Sequence, residues 1–393
     1  MISRESRLEA VTETTLPNAE LARTARQLNL PGFGLEQQQR LRDAHVLVIG
    51  AGGLGCPVML ALAATGIGTI TVVDDDVVSL SNIHRQILFG APDVGRKKVE
   101  VAAERLRKLQ PDITVHAVDA RLTEANIIDS LQGIDLLIDG SDTFQTKFLV
   151  ADAAEITGTP LVWGSVLRYR GDVALWWSGP GAPSDGVGMR DLYPAQPDPD
   201  SVPDCATAGV LGVTTSVVGG LMATEVVKFL TDVGETRIGR LHMYDALTAS
   251  VRHFNVAHDP QRPLVRELGS YAGVCAVPSG PAEVQEGQDL IDLIAEGNAS
   301  SLDVREPHEK LLKDIAHPGP NLPMSELERA EEVLSTLPAG DVVVYCASGK
   351  RSARFVDEFD PLAAARGITL HSLPGGANRW GEDLSLIHIS EPT

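Results

Sequence analysis

The strand, turn and helix text at residues 45–65 constrains this chain more than any other part of it. HVLVI runs straight into Gly50-Ala51-Gly52-Gly53-Leu54-Gly55, and the helical pattern LGCPVMLALAATG grows out of that turn. Glycines at this spacing let a phosphate approach backbone N–H groups at a helix N-terminus. Short apolar runs and helical stretches alternate onward through TITVVD, GRKKVEVAAERLRKLQ, ITVHAVDA and IDLLIDG. The alternation predicts an α/β fold with a doubly wound, mostly parallel, Rossmann-like sheet. PLVWGSVL and GDVALWW read as further strands, and Ser178 to Ala208 as a long irregular segment of the kind that usually carries function. A helix at Val213–Leu230 and strands at Arg240–Leu247 and Val251–Val256 then close the first domain.

A second, smaller α/β pattern follows an expected linker at 259–281 and occupies 282–384. It reads as a helix at Gln288–Glu296, a strand ending in SLDVRE, a helix near Met324–Leu337, the strand DVVVYC and the helix SARFVDEF. The final GEDLSLIHISEPT resembles out-of-place translated sequence, so residues 385–393 are expected to be a non-native tail. A length of 393 residues with 43% hydrophobic content allows two or three ordinary domains. The formal charge of −20 argues against nucleic acid as a partner, because that affinity depends on clustered cations. No apolar run reaches the roughly 18–20 residues of a membrane span, and the N-terminus is polar, so no membrane partner is expected and the cytoplasm is the expected compartment. Cys56, Cys205, Cys275 and Cys346 lack short-range pairing, which speaks against a disulfide framework and against a zinc site.

Asp74 closes the strand after the glycine turn, 24 positions beyond Gly50, where a carboxylate can accept hydrogen bonds from a ribose. To this point the features suit a nicotinamide-dependent oxidoreductase as well as an ATP enzyme. The text then continues Ser79-Leu80-Ser81-Asn82-Ile83-His84-Arg85-Gln86 and Gly95-Arg96-Lys97-Lys98. Asn82, Arg85 and Lys98 after one strand suit the charge that develops on a triphosphate during nucleotidyl transfer. Asp142, in Asp139-Gly140-Ser141-Asp142, ends a later strand and offers hard oxygens to Mg²⁺.

GAGGLG, VVDDDVVSLSNIHRQ, GRKKVEVA and DLLIDGSDT together resemble the MoeB/ThiF family of ubiquitin-activating-like adenylyltransferases, over roughly residues 20–258. The resemblance implies adenylylation of the C-terminal glycine of a ubiquitin-like sulfur-carrier protein ending in Gly-Gly. It implies Gly50, Gly52 and Gly53 on the phosphates, Asp74 on the ribose, and Ser81, Asn82, Arg85 and Lys98 around the triphosphate of ATP. Asp142 would hold Mg²⁺. ARQLNLP resembles the family's N-terminal arginine motif, which makes Arg26 a residue for the partner subunit's nucleotide and the protein a homodimer. Cys205, in PDCATAGVLG, matches a family cysteine that accepts the activated acyl group or resolves a disulfide to the carrier; a small buried residue before a helix is the other reading. Many relatives hold structural zinc between two C-x-x-C pairs. Here those segments read PGAPSDGVGMRDLYP and AHDPQRPLVREL, so no such zinc is expected.

In the second domain DVVVY delivers Cys346 into Cys346-Ala347-Ser348-Gly349-Lys350-Arg351-Ser352. A thiol at the mouth of a loop whose backbone N–H groups and basic residues point inward is set up as a thiolate beside an anion site. With Leu302-Asp303-Val304-Arg305 upstream and Leu373-Pro374-Gly375-Gly376 downstream, the segment resembles a single-domain rhodanese. That resemblance implies Cys346 as a persulfide carrier, loaded from thiosulfate or a cysteine desulfurase, while Asp303 and Arg305 brace the fold. The combined product would be a protein thiocarboxylate. A nicotinamide oxidoreductase and a carrier-binding scaffold without catalysis are the competing readings.

Overall fold

The computed structural model describes residues 16–197, 209–271, 281–311 and 313–383, in two compact units, 16–271 and 281–383. The first begins with two helices, α1 (Asn18–Leu28) and α2 (Leu35–Asp43), which the apolar pattern of the sequence does not announce. The sheet strands are β1 (His45–Ile49), β2 (Thr69–Val73), β3 (Thr114–Val118), β4 (Leu136–Asp139), β5 (Leu161–Leu167), β6 (Arg170–Trp176), β7 (Arg240–Asp245) and β8 (Ser250–Asn255). Their spatial order is β3-β2-β1-β4-β5-β6-β7-β8. The first five run parallel and β6, β7 and β8 are antiparallel, as the mostly parallel expectation requires.

Helices α3 (Gly55–Thr65), α4 (Lys98–Leu109), α5 (Phe144–Thr157) and α6 (Gly212–Thr231) make the crossovers and cover the sheet. Two apolar cores result, one on each face: Val46, Val48 and Val72 point into one, and Leu47, Ile49 and Val73 into the other. Period-two alternation on fully covered strands explains why the strand text is continuously apolar. By length and composition α6 is apolar enough to cross a membrane, with a window hydropathy of 1.3, yet half of that window is buried against α3, β5 and β6. The strand order reverses between β1 and β4, and a crevice at such a switch point is where sheets of this type bind ligands.

Residues 259–271 correct the expected linker, because they are fastened to the first unit. Arg262 pairs with Glu155 and Asp191 at 2.9 Å each, and the Tyr271 hydroxyl donates to Asp152 at 2.7 Å.

The second unit contains α7 (Pro281–Ala295), β9 (Ala299–Asp303), α8 (Ala330–Thr336), β10 (Gly340–Tyr345), α9 (Lys350–Ala364), β11 (Ile368–Ser372) and α10 (Gly376–Trp380). Its parallel sheet has the order β11-β10-β9. The helix expected near Met324–Leu337 is broken: Met324–Arg329 is a 3₁₀ segment with Glu326 out of helical geometry, and α-helix starts only at Ala330. The expected tail lies outside the described residues.

Candidate functional site

The glycine loop leaves β1 and enters α3 beside the end of β4. Gly50 has φ +85°, and a Cβ there would sit 3.3 Å from Gly140 O, so the loop and the 140–142 turn touch without side chains between them. Gly52 by contrast has only Gly140 O at 3.9 Å from an added Cβ, which leaves open space where a phosphate group fits. Asp74 joins the loop to β2: it accepts from Ala51 N at 2.7 Å and from Asp76 N at 2.8 Å. Burial raises its pKa, a rise opposed by the Lys98 charge and those two N–H groups.

Ser81 and Asn82 lie in a single 3₁₀ turn, Leu80–Asn82, whose Asn82 carbonyl accepts from the N–H groups of Arg85 and Gln86. That turn directs the stem of Arg85 against Gly53, since a Cβ there would be 3.5 Å from Arg85 Cγ and Cδ. The guanidinium donates to Ser81 O at 3.0 Å. Lys98 opens α4 with only 4% of its surface exposed and pairs with Asp76 at 2.9 Å. Asp142 is exposed just past Gly140. The structure therefore gathers Gly50, Gly52, Gly53, Asp74, Arg85 and the 140–142 turn around one crevice. Arg26 stands exposed on α1, and no hydrogen bond or ion pair joins it to the glycine loop of its own chain among the described residues. Cys205 and Cys275 lie outside the described residues. Cys56 is core, as its position suggested, and burial pushes its thiol up to about 12.

Sequence reasoning missed a buried pair behind the crevice. Asp139 has no exposed surface and accepts from Ser141 N at 2.9 Å and Ser141 Oγ at 2.6 Å. Lys147 reaches it from α5 at 3.5 Å while donating to Gly164 O at 2.6 Å. A lysine directly before the apolar run Phe148–Ala151 was the available signal. Among the described residues one group of three carboxylates gathers, Asp74, Asp75 and Asp76. It does not include Asp142, and each member already has a partner in Ala51 N–H, Arg121 or Lys98.

In the second unit Cys346 ends β10 and its loop closes into α9. The thiol has no exposed surface, which corrects its expected place at the loop mouth; Ser348 and Lys350 are exposed above it. Gly349 N–H donates to Sγ at 3.1 Å, and the Ser352 hydroxyl lies 3.7 Å from it. Gly376 has φ +52°, and any Cβ there would collide with Cys346 O, so LPGG is the floor on which the loop rests. Arg351 does not point freely at the loop centre, as the sequence suggested. Glu309 takes it in a bidentate pair at 2.7 and 2.6 Å. Asp303 and Arg305 do brace the fold: Arg305, 2% exposed, binds both oxygens of Asp303 and also Asp314, which accepts from the hydroxyl of Tyr345, the residue before Cys346.

A glycine loop flanked by an arginine at one switch point, and a thiol cradled at the end of a strand in a second unit, define a two-site α/β enzyme. The chain belongs to the ThiF family, whose profile matches residues 24–264. Across 94% of its length it is 40% identical to a Mycobacterium tuberculosis protein named probable adenylyltransferase/sulfurtransferase MoeZ, of which 95% is covered. The sulfur carrier protein adenylyltransferase of Thermus thermophilus is 44% identical over 66% of this chain and 97% of its own. Among solved structures, E. coli MccB with AMPCPP and MccA superposes with a TM-score of 0.56 at 20% identity, covering 65% of this chain and 76% of that one, a likeness of fold.

Proposed function

We propose that this chain is an ATP-dependent adenylyltransferase whose second unit is a sulfurtransferase. The observation that carries the first half is Arg85 lying against Gly53 beside an open glycine loop: a cation at the phosphate cradle serves nucleotidyl transfer and is superfluous for binding a dinucleotide. The name of the Mycobacterium tuberculosis relative, which matches 94% of the chain, carries the second half.

In this reading the C-terminal glycine carboxylate of a ubiquitin-like carrier attacks the α-phosphorus of ATP. A carboxylate O–P bond forms, the bond to the bridging oxygen breaks, and pyrophosphate leaves with the electron pair. Gly50, Gly52 and Gly53 seat the phosphates, Asp74 holds the ribose, and Asn82, Arg85 and Lys98 meet the charge growing on the leaving group. Asp142 would hold Mg²⁺, which would supply further charge neutralisation. A persulfide on Cys346 then attacks the acyl-adenylate and AMP leaves; a thiol attacks Cys346 Sγ of the resulting acyl disulfide, the S–S bond breaks, the thiocarboxylate leaves with the electron pair, and a disulfide to Cys346 remains. Cys205 would serve as resolving thiol or as acyl acceptor. Arg26 would act on the partner subunit's nucleotide in a homodimer.

The test separates the two chemistries. Asp142→Ala should stop carrier-dependent ATP–pyrophosphate exchange, by on the order of 10²–10³, while sparing sulfur transfer to cyanide. Cys346→Ala should do the reverse. Loss of exchange in a folded Cys346→Ala protein would overturn the division of labour.

A further inference from the structure

The loop around Cys346 carries two cations, Lys350 and Arg351, and the structure treats them differently. Lys350 is exposed at the rim, as is Arg379 from α10, so water and salt screen both. Arg351 is half-buried between Gly349 and Ser352, whose N–H and hydroxyl reach Cys346 Sγ at 3.1 and 3.7 Å, and the thiol is among the groups that raise the pKa of its guanidinium. Both arms of that guanidinium are already taken by the Glu309 carboxylate, at 2.7 and 2.6 Å. Glu309 is itself fixed, because Oε2 also accepts the Glu306 N–H at 2.9 Å and caps the helical turn Pro307–Lys310. Burial alone would raise the Glu309 pKa, yet the Arg351 bond and the Glu306 N–H hold it below the ordinary carboxylate range. It is therefore an anion at neutral pH, and the charge beside the thiol is close to balanced.

Resting on the sulfurtransferase reading above, we propose that Glu309 sets the charge of the donor this loop accepts: it selects a thiol-bound persulfide, with one negative charge or none, over the dianion thiosulfate. The transfer is the same for either donor. The Cys346 thiolate attacks the sulfane sulfur and an S–S bond forms to Cys346 Sγ. The bond from that sulfur to the rest of the donor breaks, and the electron pair leaves on a thiolate or on sulfite, with no net oxidation. What differs is the electrostatic work of bringing the donor up to a thiolate. A dianion needs an uncompensated cation at the sulfur, and Glu309 has removed it. Glu309 is a positioning residue here, acting through Arg351.

Intact-protein mass spectrometry can follow the gain of one sulfur atom on the full chain, with Cys346→Ala as the blank. Separate arms would use thiosulfate, cysteine persulfide, and a cysteine desulfurase charged with cysteine. The wild-type protein should load faster from the persulfides than from thiosulfate. Glu309→Gln keeps an acceptor for Glu306 N–H and one bond to Arg351 but deletes the charge. It should raise the second-order rate with thiosulfate on the order of tenfold, more than it raises that with cysteine persulfide, and high salt should narrow the gap. Glu309→Asp, still anionic, should keep the wild-type donor preference. Loading of the wild-type protein by thiosulfate as fast as by cysteine persulfide overturns the proposal, whether or not Glu309→Gln folds. So does a folded Glu309→Gln protein with an unchanged donor ratio. If neither small donor nor the desulfurase sulfurates Cys346, the sulfurtransferase reading fails instead. Between the persulfide arms, the faster one identifies a free or a protein-borne source.

Discussion

Lys147 is a charge on a helix whose inward residues are otherwise mostly apolar, and its bonds to Asp139 and Gly164 O shape the turn that carries Asp142. Lys147→Met would strand a buried carboxylate, so it should destabilise the first unit by roughly 3–5 kcal/mol. Adding Asp139→Leu should return part of that loss, and chemical denaturation of the two variants measures the difference. In the second unit Gly376 combines a left-handed φ with a crowded Cβ position. Gly376→Ala would push a methyl group into the Cys346 carbonyl at a φ that side chains rarely adopt. Sulfur transfer should fall at least tenfold while carrier-dependent exchange, which uses the other unit, stays near wild type. An intact sulfur transfer rate would remove the loop floor from its role.

At the scale of elements, the segment 259–271 is held by charge. Arg262 is one-tenth exposed and binds Glu155 of α5 and Asp191 of the helical turn Met189–Leu192. Arg190 in that same turn pairs with Asp152, which also accepts from Tyr271. Burial alone would raise the pKa values of Glu155 and Asp191, but hydrogen bonds from Arg262, together with Ser178 and backbone N–H groups, leave both below the ordinary carboxylate range. Lowered folded pKa values contribute stability above the unfolded carboxylate range, about pH 4–4.5, and lose it as pH falls through the folded values. Arg262→Met should thus cost roughly 3–5 kcal/mol at pH 7, and its deficit against wild type should shrink below about pH 4. A deficit independent of pH would mean that packing, not charge, holds the segment.

For the whole molecule, two expectations concern what assembles around the chain. If Arg26 serves a neighbouring subunit, mixing Arg26→Ala and Asp142→Ala chains should restore part of the exchange activity that each lacks alone. A monomer fully active by light scattering and assay contradicts that. The segments that hold zinc in many relatives are joined here through Arg262, Asp191 and Glu155, without thiolates among the described residues. Purified protein should therefore carry no stoichiometric zinc, which elemental analysis checks, and chelation should leave its melting temperature unchanged.

The sequence by itself determined the α/β class, the glycine turn after β1, the thiol loop after β10 and the bracing role of Asp303 and Arg305. In each case the signal is local: a strand ends, a turn needs glycine or a cap, and a helix begins within a dozen residues. Tertiary structure alone decided which charges meet. Arg262 finds its carboxylates 71 and 107 positions upstream, and Arg351 finds Glu309 42 positions upstream. In the sequence Glu155, Asp191, Arg262 and Glu309 carry no sign of a partner, and Arg351 reads as a loop cation facing the thiol. Packing buries them, and a buried charge is stable only beside its opposite, so the choice of partner belongs to the fold.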